Sequence, residues 1–346
     1  MTLEDFGWSS FFEKNLKPDS TKIVGRVSSQ HRELYRVLTD RGELVVKVSG
    51  RLRNAAASVA ELPAVGDWVT VLMRDTDRAT IQTVLPRRSY LSRRAAGNRA
   101  EEQIIAANVD TVFIVTSLDA DFSLRRIERY LLVAHNSGVR PVVILSKSDV
   151  AEGADGKRVE CETVAQGTPI HVISSVTGDG VEAVKDYLGR GQTVAFVGSS
   201  GVGKSTLVNA LFGDEIQKTN PVREGDNKGR HTTTYRRLIL LPGGALLLDT
   251  PGMREVQLWA DEGTLDAAFA DIATAAEGCR FRDCKHLQEP DCAVRDHIDA
   301  GRLASFHAQQ KELAHLHRQT DTQAAQAQKQ RTKAIHKRMR NYDKRD

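Results

Sequence analysis

No stretch of this 346-residue chain stays apolar for the roughly 18 residues that a membrane-crossing helix requires. Met1–Ser20 mixes acids and bases and lacks the basic start and apolar middle of a secretory leader. The expectation is a soluble, cytoplasmic protein. Cysteine is scarce: there are four, three of them within residues 279–292, and no C-x-x-C pair. An odd cluster without a secretory context argues against a disulfide framework, and the missing C-x-x-C argues against a redox motif. Internal repeats are lacking, and the one low-complexity stretch is the Ala/Gln segment 323–330. With 40% apolar residues and a formal net charge of only +4, the chain has the material for two or three domains with real cores.

What is present begins with a phosphate-cradling loop. Thr193-Val194-Ala195-Phe196-Val197 is the apolar, β-branched run of a buried parallel strand. It feeds Gly198-Ser199-Ser200-Gly201-Val202-Gly203-Lys204-Ser205, with Thr206 next in the helix expected to begin near Lys204. Three glycines let successive N–H groups turn inward around phosphates, and the helix adds its positive N-terminal end. Lys204 is expected to reach the β and γ phosphates and Ser205 to bind Mg²⁺.

Downstream, Leu246–Leu248 runs into Asp249-Thr250-Pro251-Gly252, where the Asp249 carboxylate can hold the Mg²⁺ shell and the Gly252 N–H can meet the γ phosphate. Between the two motifs, Gly229-Arg230-His231-Thr232-Thr233-Thr234 reads as a first switch, with Thr232 or Thr233 completing the Mg²⁺ shell, or else as a plain threonine-rich turn. Upstream, the apolar run Pro141–Leu145 delivers Ser146-Lys147-Ser148-Asp149 to the carboxyl edge of a sheet. Asp149 can accept two hydrogen bonds from guanine N1–H and its exocyclic amine. A partner segment, Pro169–Ile173 into Ser174-Ser175 and then Thr177-Gly178-Asp179-Gly180, reads as the base-supporting loop. The base reader precedes the phosphate loop, the reverse of the usual order, so the nucleotide domain is circularly permuted.

A second constellation is Cys279, Cys284, His286 and Cys292, spaced C-x4-C-x-H-x5-C. Three thiolates and one imidazole make a closed tetrahedral set, the signature of one structural zinc ion rather than a catalytic one; free buried cysteines are the bland alternative. Cys161, alone in a helical-looking stretch, reads as a packing residue. Residues 329–346 carry eight Lys/Arg and two Asp, net +6 against the whole chain's +4, which leaves −2 for the remainder. That tail suits RNA phosphates, or is a solvated end. A smaller basic cluster is Arg87, Arg88, Arg93, Arg94 and Arg99. Short strands at Lys22–Val27, Leu34–Leu38, Leu44–Lys47, Trp68–Met73 and Ala79–Val84 predict a small barrel, OB-like or SH3-like. After Val109, strand and helix alternate: Thr111–Ser117 reads as a strand and Leu124–Asn136 as a helix closed by Gly138, which predicts a mostly parallel α/β sheet. Thr264–Ala276 and Arg302–Arg318 read as helices.

Taken together, these motifs make the chain similar, over nearly its whole length, to the RsgA family, also called YjeQ or YloQ. The resemblance implies an N-terminal extension with an OB-fold over 1–97, a circularly permuted GTPase domain over 98–258, and a zinc-binding domain with a basic helical tail over 259–346. It implies hydrolysis of GTP to GDP and phosphate, stimulated by the small ribosomal subunit, in late assembly of that subunit, with hydrolysis controlling release. Zn²⁺ and Mg²⁺ are the implied ions, GTP, GDP and 16S-type rRNA the implied ligands, and a monomer the default state. Two departures stand out. Ser146 occupies a position where the family usually has asparagine, which removes an amide that tethers the loop. Met253 follows the second-switch glycine where many GTPases place a glutamine, so His231 is the candidate for water positioning, or it only braces the switch. Thr233 is a second candidate in catalysis beside Lys204. A nucleotide-gated rRNA-binding module with incidental hydrolysis is the alternative, and a small-molecule phosphotransferase leaves the base reader without a purpose.

Overall fold

The computed structural model describes residues 1–75, 78–94, 102–165, 167–212, 236–249, 265–266, 268–315 and 318. The chain divides into two compact units, one of Met1–Arg93 with Gln103–Gln257 and one of Arg94–Glu102 with Leu258–Asp346.

In the first unit, β1 (Lys22–His31), β2 (Leu34–Thr39), β3 (Gly42–Val48), β4 (Trp68–Asp75) and β5 (Arg78–Val84) form a barrel. The order is β1-β2-β3-β5-β4, closed by β1 against β4, with β3 and β5 parallel and the other pairs antiparallel. This is an OB-like closure. Period-two alternation fills it: Tyr35, Val37 and Thr39 of β2 point inward and Leu34 and Arg36 outward. Val27, Val37, Val46, Val69, Val71 and Ile81 make the core. β1 serves both edges of the closure by bending. Its register slips between Val27 and Ser29, the mark of a bulge, and at Gly25 an added Cβ would lie 2.4 Å from Val37 Cγ1.

Continuous with the barrel, through an antiparallel pairing of Arg237 with Ser29 of β1, is a sheet of β8 (Thr111–Ser117), β9 (Arg140–Ser146), β10 (Ile170–Val172), β11 (Thr193–Val197), β12 (Arg237–Leu240) and β13 (Leu246–Asp249), in the order β10-β9-β8-β11-β13-β12. All neighbours are parallel except the β12–β13 pair. Every residue of β8 and β11 is buried, because both faces are covered. Val112 and Ile114 face a core shared with Ile127 and Leu131 of helix Leu124–Asn136, while Phe113 and Val115 face Leu207 and Val208 of helix Lys204–Phe212. Cys161 is buried in helix Ala154–Ala165, a packing residue with its thiol pushed up to about 12 by burial. β6 (Tyr90–Arg94) and β7 (Glu102–Ala107) form a two-stranded ribbon before β8.

Barrel and sheet meet around one cation. Arg26 of β1 is 1% exposed and donates to Gly66 O, Phe6 O, Asn108 O and Thr193 Oγ1. The basic cluster read from the sequence resolves differently at its start. Arg87 is bidentate to buried Asp67, at 2.8 and 2.7 Å, and Arg88 pairs with Asp110, so these two guanidinium groups hold the fold together.

The second unit contains helices Ala270–Ala276 and Ala293–His297 and a helix over 300–315. Arg302 makes a two-pronged pair with Asp271, at 3.0 and 2.9 Å, while its guanidinium lies 4.2 Å from the centre of the Phe269 ring.

Candidate functional site

β11 ends directly in the glycine loop, and the helix begins at Lys204. Gly198, Gly201 and Gly203 all have positive φ, of 140°, 81° and 92°. At Gly198 the requirement is also steric, since a Cβ there would stand 2.1 Å from the Val115 carbonyl oxygen of the neighbouring strand. Lys204 Nζ donates to Gly198 O at 2.8 Å and Ser199 O at 2.5 Å, which holds the ammonium within the curve of the loop. Ser205 and Thr206 occupy the first turn of the helix behind Ser199 and Ser200. β11 and β13 are parallel neighbours, with Ala195 opposite Leu248, so Asp249 ends its strand at the same carboxyl edge as the loop. Burial raises the Asp249 carboxyl above its ordinary value, with Arg237 pulling the other way. A carboxylate at this edge and a serine hydroxyl at the start of the helix after the loop are oxygen donors of the kind Mg²⁺ takes.

The base-reader segment joins this loop. Ser146, 2% exposed at the end of β9, donates its hydroxyl to Val202 O at 2.6 Å, with Thr116 O as a second acceptor at 3.2 Å. The tether expected to be lost with asparagine is therefore made by the shorter serine. Lys147 takes a left-handed conformation at φ 61°, and the Ser148 N–H donates to Ile173 O at 3.1 Å. That bond brings in the base-supporting segment. Ser174 Oγ donates to Asp149 Oδ1 at 2.7 Å while accepting from the Val176 and Thr177 N–H groups at 3.2 and 3.1 Å. Asp149, itself exposed, thus has one oxygen fixed by the supporting loop, and Ser175 follows Ser174 in that loop.

Sequence reasoning missed Asp119. It lies two residues beyond β8, and its Oδ2 accepts from Lys147 Nζ at 2.8 Å. The available signal was position alone, an acid just past a strand's carboxyl end, where ligands gather in parallel sheets. His231, Thr232, Thr233, Gly252 and Met253, and the basic tail 329–346, lie outside the described residues.

In the second unit the ligand atoms of Cys279, Cys284, His286 and Cys292 all lie within 4.8 Å of one another. Cys279 Sγ and Cys292 Sγ are 4.0 Å apart, and His286 Nδ1 is 3.6 and 3.5 Å from them. A metal with bonds of about 2.3 Å to sulfur sets tetrahedral edges near 3.8 Å, so the spacing fits a zinc-sized ion. Burial pushes the Cys284 thiol up to about 11. At Cys292 burial acts the same way but is outweighed by the Arg295 N–H, by Cys284 and Cys279 and by the Val294 N–H, which lower it. Burial lowers the His286 pKa, which favours the neutral imidazole a metal needs.

Similarity to known proteins gives the family. A family model described as RsgA GTPase matches residues 84–259. The small ribosomal subunit biogenesis GTPase RsgA of Opitutus terrae is 45% identical, over 97% of this chain and 96% of its own. The small ribosomal subunit biogenesis GTPase RsgA 2 of Lactiplantibacillus plantarum is 46% identical, over 91% of this chain and 90% of its own. Among solved structures, YjeQ from Thermotoga maritima has a TM-score of 0.63 at 27% identity and covers 85% of this chain and 99% of its own. YloQ, a circularly permuted GTPase, has a TM-score of 0.58 at 20% identity and covers 86% of this chain and 98% of its own, a likeness of fold. With its permuted order of motifs, its OB-like barrel and its Cys3His cluster, the chain belongs to the RsgA GTPase family.

Proposed function

We propose that this protein hydrolyses GTP in the biogenesis of the small ribosomal subunit, binds that subunit, and is released when hydrolysis has occurred. The observation that carries the reading is the joining of phosphate loop and base reader through Ser146 and Val202, at 2.6 Å, in a chain whose relatives of that name match it nearly end to end. In this reading 1–97 is the barrel region, 98–258 the GTPase domain and 259–346 the zinc domain with an rRNA-binding tail. Asp149, with Ser174 and Ser175, recognises guanine, and the 198–206 loop holds the phosphates. Ser205, Asp249 and Thr232 or Thr233 would hold Mg²⁺, which would supply neutralisation of the phosphate charge. Lys204 stabilises the negative charge that grows on the phosphates, and His231 positions the water. The water oxygen bonds to the γ phosphorus as its proton passes to a γ-phosphate oxygen, the bond from that phosphorus to the β–γ bridging oxygen breaks, and GDP leaves with the electron pair, so that the products are GDP and inorganic phosphate. Cys279, Cys284, His286 and Cys292 hold one structural Zn²⁺. The protein acts as a monomer in the cytoplasm.

The test is GTP turnover by the purified protein alone, with small subunits and with large subunits, ATP serving as control. Stimulation confined to GTP and small subunits is expected, and its reduction in His231→Ala. Flat turnover with every subunit, combined with GTP-dependent binding to small subunits, would replace the enzyme by the nucleotide-gated rRNA-binding module.

A further inference from the structure

Asp119 is an acid that none of the roles above uses, yet it is held from three sides. Ser117 Oγ donates to its Oδ1 at 2.6 Å, the Asp121 N–H donates to the same oxygen at 2.9 Å, and Lys147 Nζ reaches Oδ2 at 2.8 Å. Burial alone would raise its pKa, but Lys147, Ser117 and the Asp121 N–H outweigh burial and hold it well below the usual carboxylate range. Lys157, on the neighbouring helix, is committed to Leu118 O at 2.7 Å.

Lys147 sits between Ser146, which is tied to the phosphate loop, and Asp149, whose carboxylate is fixed by Ser174. Its left-handed backbone, φ 61°, sends the side chain from the edge of β9 to the edge of β8, where Asp119 takes the ammonium. The four methylenes in between are drawn across the carboxyl edge of the sheet beside the base-reading carboxylate. Such a stem is an apolar surface with a charged end, and without an anchor a lysine stem samples many rotamers.

We propose that Asp119 is a positioning residue for guanine: by anchoring the Lys147 ammonium it lays the lysine stem as a fixed plate against the face of the purine whose edge Asp149 reads. This rests on the GTPase reading above. Asp119 acts through Lys147 and does not touch the base edge, so it contributes affinity for the purine ring without contributing to recognition of its 2-amino group.

The experiment is calorimetric titration of the full-length protein with GDP and with inosine diphosphate, alongside GTP turnover. Asp119→Asn is expected to weaken both nucleotides by the same factor, about fivefold, the scale of a half-exposed ion pair that organises a stacking surface. The loss should appear in KM rather than in kcat. Asp119→Glu, which keeps an anion within reach of the flexible lysine, should bind GDP within about twofold of wild type. Lys147→Met keeps most of the stem and loses its anchor, so Asp119→Asn in that background should add nothing. Unchanged GDP affinity in Asp119→Asn, losses that add in the double variant, or a loss for GDP that inosine diphosphate does not share would each overturn the assignment while leaving the GTPase reading intact. A wild-type protein that binds neither nucleotide would overturn both.

Discussion

Replacing Arg26 by methionine removes a cation that is 1% exposed and whose four hydrogen bonds all go to neutral acceptors. The donors reach Gly66 O at 3.0 Å, Phe6 O at 2.6 Å, Thr193 Oγ1 at 2.9 Å and Asn108 O at 2.8 Å. Methionine can keep much of the stem's packing beside Trp68, but it satisfies none of these acceptors. Gly66 O retains the Asn108 amide at 3.1 Å, and the Thr193 hydroxyl can turn to another partner. Phe6 O and Asn108 O are left, and two buried orphaned carbonyls cost about 2–6 kcal/mol. Part of this is offset, because burial lowers the Arg26 pKa to about 10 and so sets a desolvation strain of about 3 kcal/mol on the charge. The net expectation is a loss of about 1 kcal/mol, which for a unit of this size is a fall of about 2–4 °C in Tm. Arg26→Lys should recover only part of it, since an ammonium cannot fork to four separated acceptors. Thermal unfolding followed by circular dichroism reads the shift, and hydrogen exchange at 194–197 should rise in the same variant because Thr193 opens β11. An Arg26→Met protein that melts with the wild type would refute the reasoning, by showing that the hydrogen bonds return no more than the buried charge costs.

Gly198→Ala should abolish measurable GDP binding while leaving the barrel folded, since the added methyl would sit 2.1 Å from Val115 O in a backbone region closed to alanine; retained affinity in a titration would show that the loop opens freely. Ser146→Ala removes the 2.6 Å tether to Val202 O and should weaken GDP about fivefold, one hydrogen bond's worth, whereas unchanged affinity would make that contact idle. Cys284→Ser should lower the bound zinc, measured by atomic emission, from about one ion per chain to a small fraction, and a strong chelator should melt the second unit without moving the transition of the first. Zinc content unaffected by the substitution would exclude the cluster as the site.

What the sequence disclosed follows from the range of the forces involved. The glycine loop and the Cys3His cluster were legible because their chemistry is set by spacing within a few residues. The barrel strands were legible because one covered face imposes alternation. β1 was read as ending at Val27, yet it runs to His31. The bulge near Ser28 resets the alternation there, and the polar run Ser28–His31 then resembles a turn. Arg87 read as part of a basic cluster because its partner, Asp67, lies 20 residues earlier and is buried by the fold. Asp119 and Lys147 are 28 residues apart and meet only because β8 and β9 are neighbours. Pairs of this kind depend on the sheet order, which no local spacing encodes.

Permuting a parallel sheet changes which strand the chain enters first, but not which edge of the sheet carries ligand. β9, β10, β11 and β13 still end at one edge, so Lys147, Ser174, the phosphate loop and Asp249 gather there whatever the chain order. What the permutation does change is the feed into β8, which now comes from the barrel through Asn108. β8 lies beside β11, with Thr111 opposite Val194, and the Asp110 carboxylate accepts the Thr193 N–H at 2.7 Å. Arg26 closes the circuit by donating both to Asn108 O and to Thr193 Oγ1. The barrel's first strand is therefore one side chain away from the start of the strand whose other end is the phosphate loop. β11 is only five residues long and buried throughout, so it has little freedom to absorb a displacement. A displacement of the barrel would be passed to the glycine loop through this strand, and Arg26→Met tests that link as well as the stability it confers: if the link carries force, the variant should bind GDP more weakly even at temperatures far below its melting transition.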